Sequence, residues 1–157
     1  MDPEILAPLA SLIRTQRVAA LGTLRQGAPL VSLVAYLAQD DFCAYTFRLS
    51  RLAWHTQDML RDARVSLAII EPDDGRDDPQ TLARLSLRGE AQLLEAGAAA
   101  SQSLTHAWRE RFPRSAVTFE LADFAFWRFV PSDARLVAGL GRTYNLSPAD
   151  LAAAARA

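Results

Sequence analysis

Lysine is missing from the chain: all 17 basic residues are arginines, set against 18 acidic residues for a formal charge of −1. That balance leaves no global positive excess to hold nucleic acid, although a local group of arginines can still bind an anion. Cysteine is nearly missing too. The one thiol, Cys43, cannot close an internal disulfide, and it lies in the apolar run FCAYTF, where a thiol more often fills space than reacts. Histidine is limited to His55 and His106, and neither belongs to a zinc-binding H-E-x-x-H pattern or a nucleophile elbow. A catalytic triad and a metal centre are therefore both unexpected. The seven glycines are dispersed, so the phosphate-loop and dinucleotide-binding patterns are absent. No apolar run reaches the roughly 18 to 20 residues that cross a bilayer, and MDPEILAPL lacks the basic start and long apolar stretch of a signal peptide. A cytoplasmic protein without a membrane partner is the expectation.

What the chain does have is core-forming material. Half of its 157 residues are hydrophobic, enough for one domain over 1–157 without linkers or repeats. PEILAPLASLIR spaces Ile5, Leu6, Leu9, Leu12 and Ile13 as a helix does, with Asp2 as cap and Pro3 in the first turn. Three β-rich runs follow between residues 17 and 47, punctuated by RQGAP and AQDD, and predict an antiparallel meander. SRLAWHTQDMLRDA predicts a helix capped by Ser50, with Leu52, Thr56, Met59, Leu60 and Ala63 on its packed stripe. RVSLAII reads as a strand buried on both faces or at a tight interface. The acidic segment 71–81, EPDDGRDDPQT, has no periodicity and reads as a mobile loop. LARLSLRGEAQLL alternates like a half-buried strand, and a helix ending near Pro113 follows. FAFWRFV supplies the sixth strand, and SPADLAAAARA a final helix with Ser147 as cap and Asp150 at the third position. The fold class expected is mainly β with helices (α+β), a six- to seven-stranded antiparallel barrel whose closure removes most exposed edges.

The join within YTFRLSRLAWHTQDM carries the chemistry. An arginine at the first helical position is unusual, because unpaired N–H groups already make that end positive. It makes sense if an external anion sits between the guanidinium and those N–H groups. Ser50, Arg51 and His55 could converge on one phosphate, with arginine supplying two charge-assisted hydrogen bonds. The alternative from the residues alone is that Ser50 merely caps and Arg51 points into water.

CAYTFRLSRLAWHTQDMLRDARVSLAII, preceded by QGAPLVSLVAYLAQDD, resembles the FMN-binding split-barrel family related to pyridoxamine 5'-phosphate oxidase. The oxidase's strand ends in Tyr-Thr and is followed by Ser-Arg-Lys. Tyr45, Thr46, Ser50 and Arg51 match, and Leu52 replaces the lysine. A subgroup that includes bacterial haem-utilisation proteins has a pattern like SxLAxHTxN, matched by Ser50, Leu52, Ala53, His55 and Thr56. LVAGLGRTYNLSPADL is similar to that subgroup's ending. The resemblance implies an FMN phosphate held by Arg51, Ser50, His55 and Thr56, with Thr46 at the ribityl chain or phosphate. It implies backbone contacts from Ser32, Leu33 and Val34 to the flavin ring. It further implies a homodimer whose composite cofactor sites are completed by Arg84 and Trp127, although an aromatic in FAFWRF is as readily core. For Trp54 and Trp108 packing is the expectation.

The reaction implied is that of an FMN-dependent oxidoreductase on a small organic substrate, the flavin itself supplying the redox chemistry. The oxidase's Arg-x-His reads Arg135, Leu136, Val137 here, which speaks against efficient oxidation of pyridoxamine phosphate. The alternatives are a haem-binding or haem-degrading protein, for which the chain lacks the C-terminal axial histidine and offers only His106, and a non-enzymatic flavin-binding protein.

Overall fold

In the computed structural model, which describes residues 3–95, 97 and 99–157, the alternating apolar runs form one antiparallel sheet. The elements in chain order are α1 (Leu6–Thr15), β1 (Val18–Arg25), β2 (Ala28–Ala35), β3 (Leu37–Ala38) and β4 (Tyr45–Ser50). Then come α2 (Trp54–Arg61), β5 (Arg64–Ile70), β6 (Arg84–Leu93), α3 (Ala99–Arg111), β7 (Phe124–Val137), β8 (Thr143–Leu146) and α4 (Pro148–Ala155). Strand order is β2-β1-β5-β6-β7-β4-β3, with β8 on β7, and the sheet curls into an α+β split barrel. Eight strands stand where six or seven were expected. The additions are β3, only two residues long, and β8 in the C-terminal RTYNL stretch.

Local chemistry accounts for the turns. Gln26 and Gly27 both take positive φ between the paired Arg25 and Ala28, the two-residue hairpin whose twist suits its flanking strands. β7 continues through Pro131, which has no N–H to give its neighbour. The ladder to β6 shifts register at that point, between Arg88 and Gly89. Ser147 and Asp150 form the reciprocal capping box that starts α4.

The main core lies inside the curl, where Leu21, Leu67, Leu85, Leu87, Phe47 and Phe129 meet Leu9 and Ile13 of α1. A smaller cluster of Trp108, Phe112 and Phe126 lies beneath α3, with Phe119 packed against it. Among the described residues no helix is long and apolar enough to cross a membrane.

Several sequence expectations need correcting. The second helix begins at Trp54, three residues after Arg51, with Ala53 at its cap and no side-chain capping bond. Its buried residues are Thr56, Asp58 and Met59, while Leu52 and Leu60 are exposed. The stripe rotates because Asp58 is drawn under the helix by Thr23 (3.1 Å) and Arg25 (3.2 Å), both on β1. Trp54 is exposed and lies under the Arg25 guanidinium, 4.0 Å from ring centroid to Cζ. Trp108 is packed as expected. β5 alternates buried and exposed residues, so one face only is covered within the chain. The acidic loop 71–81 folds onto itself: Glu71 accepts from the Ala83 N–H at 2.8 Å and pairs with Arg76, which also pairs with Asp74. Asp2 lies outside the described residues.

Candidate functional site

β4 turns Tyr45, Phe47 and Leu49 into the core, so Thr46, Arg48 and Ser50 occupy its other face. Arg51, Leu52 and Ala53 then make a turn, and α2 starts beside the open edge of β2. The first helical bond runs from the Gln57 N–H to the Ala53 carbonyl, so the N–H groups of Trp54, His55 and Thr56 have no acceptor among the described residues. The Thr56 hydroxyl is buried there without a partner. The Arg51 side chain is exposed and makes no hydrogen bond or ion pair among the described residues, while its carbonyl accepts from Gln57 Nε2 at 2.6 Å. Unmet donors and an uncommitted guanidinium are the chemistry of an anion subsite.

His55 Nδ1 lies 3.1 Å from Ser32 Oγ, which ties the helix to β2 across the seam of the barrel. Burial pushes the imidazole below its ordinary pKa, Asp58 pulling the other way, so the ring is biased toward its neutral form. β2 has β1 as its hydrogen-bonded neighbour, with Ser32, Leu33 and Val34 opposite Leu21, Ala20 and Ala19. Alternate backbone groups of this edge strand therefore face outward. The Leu33 side chain is exposed and that of Val34 buried, which leaves a backbone role open to both.

Other expected site residues are placed differently. Ser50 does not cap α2. It ends β4, its hydroxyl donates to the Asp123 carboxylate and accepts from the Leu52 N–H, and the Arg51 N–H donates to the Asp123 carbonyl at 2.7 Å. Tyr45 sits in the core against Tyr36 and Phe129, where burial raises its pKa and leaves its hydroxyl without a partner. Thr46 and Trp127 are buried in the protomer, Thr46 to the same degree as Thr56, and the Trp127 Nε1 lacks an acceptor among the described residues. Trp127 is part of the main core of its own protomer. Arg84 opens β6 and is bonded to the carbonyls of Gln80 and Leu82, whereas Leu93, across from Trp127, closes that strand. About 30 Å of strand lies between these ends, so Arg84 is remote from the Arg51 turn along its own sheet.

One residue was overlooked. Arg48 shares with Arg51 a cavity of about 540 Å³ that is also lined by Leu93, Leu94, Phe124 and Phe126. Its guanidinium donates to the Thr118 carbonyl and hydroxyl at 2.7 and 3.3 Å and stacks 3.8 Å over Phe119. Burial lowers its pKa, and nearby Arg109 adds to the shift. Its place two residues before Ser50, on the same face of a strand, was the available signal.

Comparison with known proteins decides the family: the model for pyridoxamine 5'-phosphate oxidase matches residues 5–138. The chain belongs to that family. One solved structure is 33% identical over 96% of this chain and 97% of its own, with a TM-score of 0.83. The heme-binding protein of Mycobacterium smegmatis is 25% identical with a TM-score of 0.81, and this chain covers 62% of its length at 98% of its own. HutZ, the heme storage protein of Vibrio cholerae, is 23% identical over 83% of this chain and 89% of that one, with a TM-score of 0.71, a likeness of fold alone. No curated protein matches.

Proposed function

We propose that this member of the pyridoxamine 5'-phosphate oxidase family is an FMN-binding flavoprotein, an oxidoreductase acting on a small organic substrate as a homodimer. The observation that carries the reading is the first turn of α2, where three N–H groups and the buried Thr56 hydroxyl, without partners among the described residues, follow an Arg51 whose side chain has none there either. That donor set fits a phosphomonoester. When bound, FMN supplies hydride and electron transfer. The chain's share is positioning: Arg51, the α2 N–H groups and Thr56 hold the phosphate, and the open edge of β2 at Ser32, Leu33 and Val34 meets the polar rim of the ring. Neutral His55, held by Ser32, fixes the helix against that edge. Ser50 is already spent on Asp123, and Thr46, Tyr45 and Trp127 act from the packed interior. Arg84 reaches such a site only from the second subunit.

A haem-binding role is the second reading, favoured by the 25% identity to the mycobacterial heme-binding protein. His106 is exposed and paired with Glu110 at 3.3 Å, an ordinary surface arrangement for an axial candidate. The absorption spectrum of the purified protein separates the two, by flavin bands or by a Soret band that His55→Ala or His106→Ala abolishes. Arg51→Ala should weaken FMN binding by about 1.5–3 kcal/mol, the scale of a hydrogen bond to a charged group, with folding nearly unchanged. Flavin fluorescence titration measures it, and unaltered affinity would leave Arg51 a solvated residue. Reduction of bound flavin by a nicotinamide in stopped flow distinguishes an oxidoreductase from a carrier.

A further inference from the structure

Three donors of the β4–α2 join are met by one stretch of the same chain. Thr118 presents its carbonyl and hydroxyl oxygens to Arg48, and Asp123 takes the Ser50 hydroxyl on its carboxylate and the Arg51 N–H on its carbonyl. Oxygen acceptors on a guanidinium, a hydroxyl and an N–H are what a bound phosphate would offer to the same groups. We propose that Asp123, bonded to Ser50 and to the Arg51 N–H, sets the ionic selectivity of the anion subsite that begins at Arg51, so that a phosphate-bearing ligand must approach against this carboxylate while an uncharged analogue need not. The inference rests on the FMN reading above and names what tunes that site.

The charge argument is local. Because Ser50 and Arg51 are both bonded to Asp123, a phosphate drawn to the Arg51 turn comes close to its carboxylate. A phosphomonoester carries up to two negative charges at neutral pH, and like charges at contact distance repel even where water screens them partly. Among the described residues Arg51 has no ion pair, and the hydrogen-bond partners of Arg48 are the neutral oxygens of Thr118. Asp123 is therefore the carboxylate bonded to this turn, and removing it changes the charge that a ligand meets there. The Ser50 hydroxyl and the Arg51 N–H go to Asp123 and not to Glu95, which lines the cavity that holds Arg48 and Arg51 and serves as a control for a general change of charge.

Titration of the full chain with FMN and with riboflavin, which lacks the phosphate, tests this by flavin fluorescence. Asp123→Asn keeps an acceptor for Ser50 and removes the charge. It should tighten FMN by about tenfold, leaving riboflavin within about twofold and Glu95→Gln near wild type. Asp123→Ser, with near-ultraviolet circular dichroism to check folding, should shift FMN in the same direction. FMN binding that is unchanged or weakened by both substitutions, or that moves equally with riboflavin or with Glu95→Gln, would overturn the role of Asp123 and leave the FMN reading standing. Failure of every protein to bind either flavin would overturn both.

Discussion

Two side chains of α2 point under the helix, and each makes a measurable claim. Asp58 is fully buried and serves Thr23 and Arg25 at once. Removing it strands a buried hydroxyl and a partly exposed guanidinium. Because Arg25 is 31 % exposed, the loss falls below that of a fully buried ion pair. Asp58→Ala should cost about 2–3 kcal/mol in urea unfolding, and Thr23→Ala about 1 kcal/mol. Equal costs would show that the Arg25 contact contributes nothing. His55 works through protons. Its folded pKa lies below the ordinary 6.5, chiefly from burial, so the unfolded chain binds the proton more readily. The contribution of the neutral ring is complete above that ordinary value and is lost as pH falls through the depressed folded one. The melting temperature should therefore drop on going from about pH 7 to 5, and His55→Gln should flatten that part of the profile. A variant with the same slope would assign the dependence to other groups.

At the scale of elements, the bulge between β6 and β7 shows what a single backbone position can require. A Cβ on Gly89 would stand 2.0 Å from the Val130 carbonyl oxygen, a contact that backbone alone would have to relieve. A Cβ on Gly22 would meet the Ser66 hydroxyl at 2.3 Å, but that side chain can rotate away. Gly89→Ala should destabilise the fold by about 2–3 kcal/mol by thermal unfolding, and Gly22→Ala by clearly less. The same contrast explains what was readable in advance. Alternation in LARLSLRGEAQLL set Leu85, Leu87, Gly89, Ala91 and Leu93 on one face, of which Leu85, Leu87 and Ala91 are buried and Leu93 is exposed, and SPAD announced its capping box, because both signals are local. The start of α2 was misplaced because Ser50 is claimed by Asp123, 73 residues away, and held in β4. Burial of Asp58 was equally illegible: its partners lie on β1, and a charged residue in mid-helix ordinarily faces water. Of the candidate site, the turn proposed as an anion subsite was suggested by its residue types, whereas the burial of Thr46 and Trp127 depended on how strands and α3 pack.

For the whole molecule, the outer face of the sheet carries more apolar surface than one chain covers. Val31 is 69% exposed, Leu33 72% and Val130 44%, and a groove of about 920 Å³ runs past Leu24, Leu30, Val31, Val65, Val130 and Pro131. A face of this kind, with β2 at its open edge, suits a two-fold pairing in which the same patch serves both subunits. A stable pair must bury roughly 800 Å² on each side, which scattered contacts do not provide. Light scattering at micromolar concentration should therefore give the mass of two chains. Val31→Glu places a charge on the groove without touching Arg51 or the first turn of α2, and should shift the protein to one chain. The second readout is flavin affinity. If the site is composite, with Arg84 arriving from the other subunit, the Val31→Glu monomer should lose FMN along with its partner. A monomer that binds FMN as tightly as the dimer would confine the cofactor to the seam between β2 and β4 of a single chain, and would leave Arg84 as no more than a clamp on the loop that precedes it.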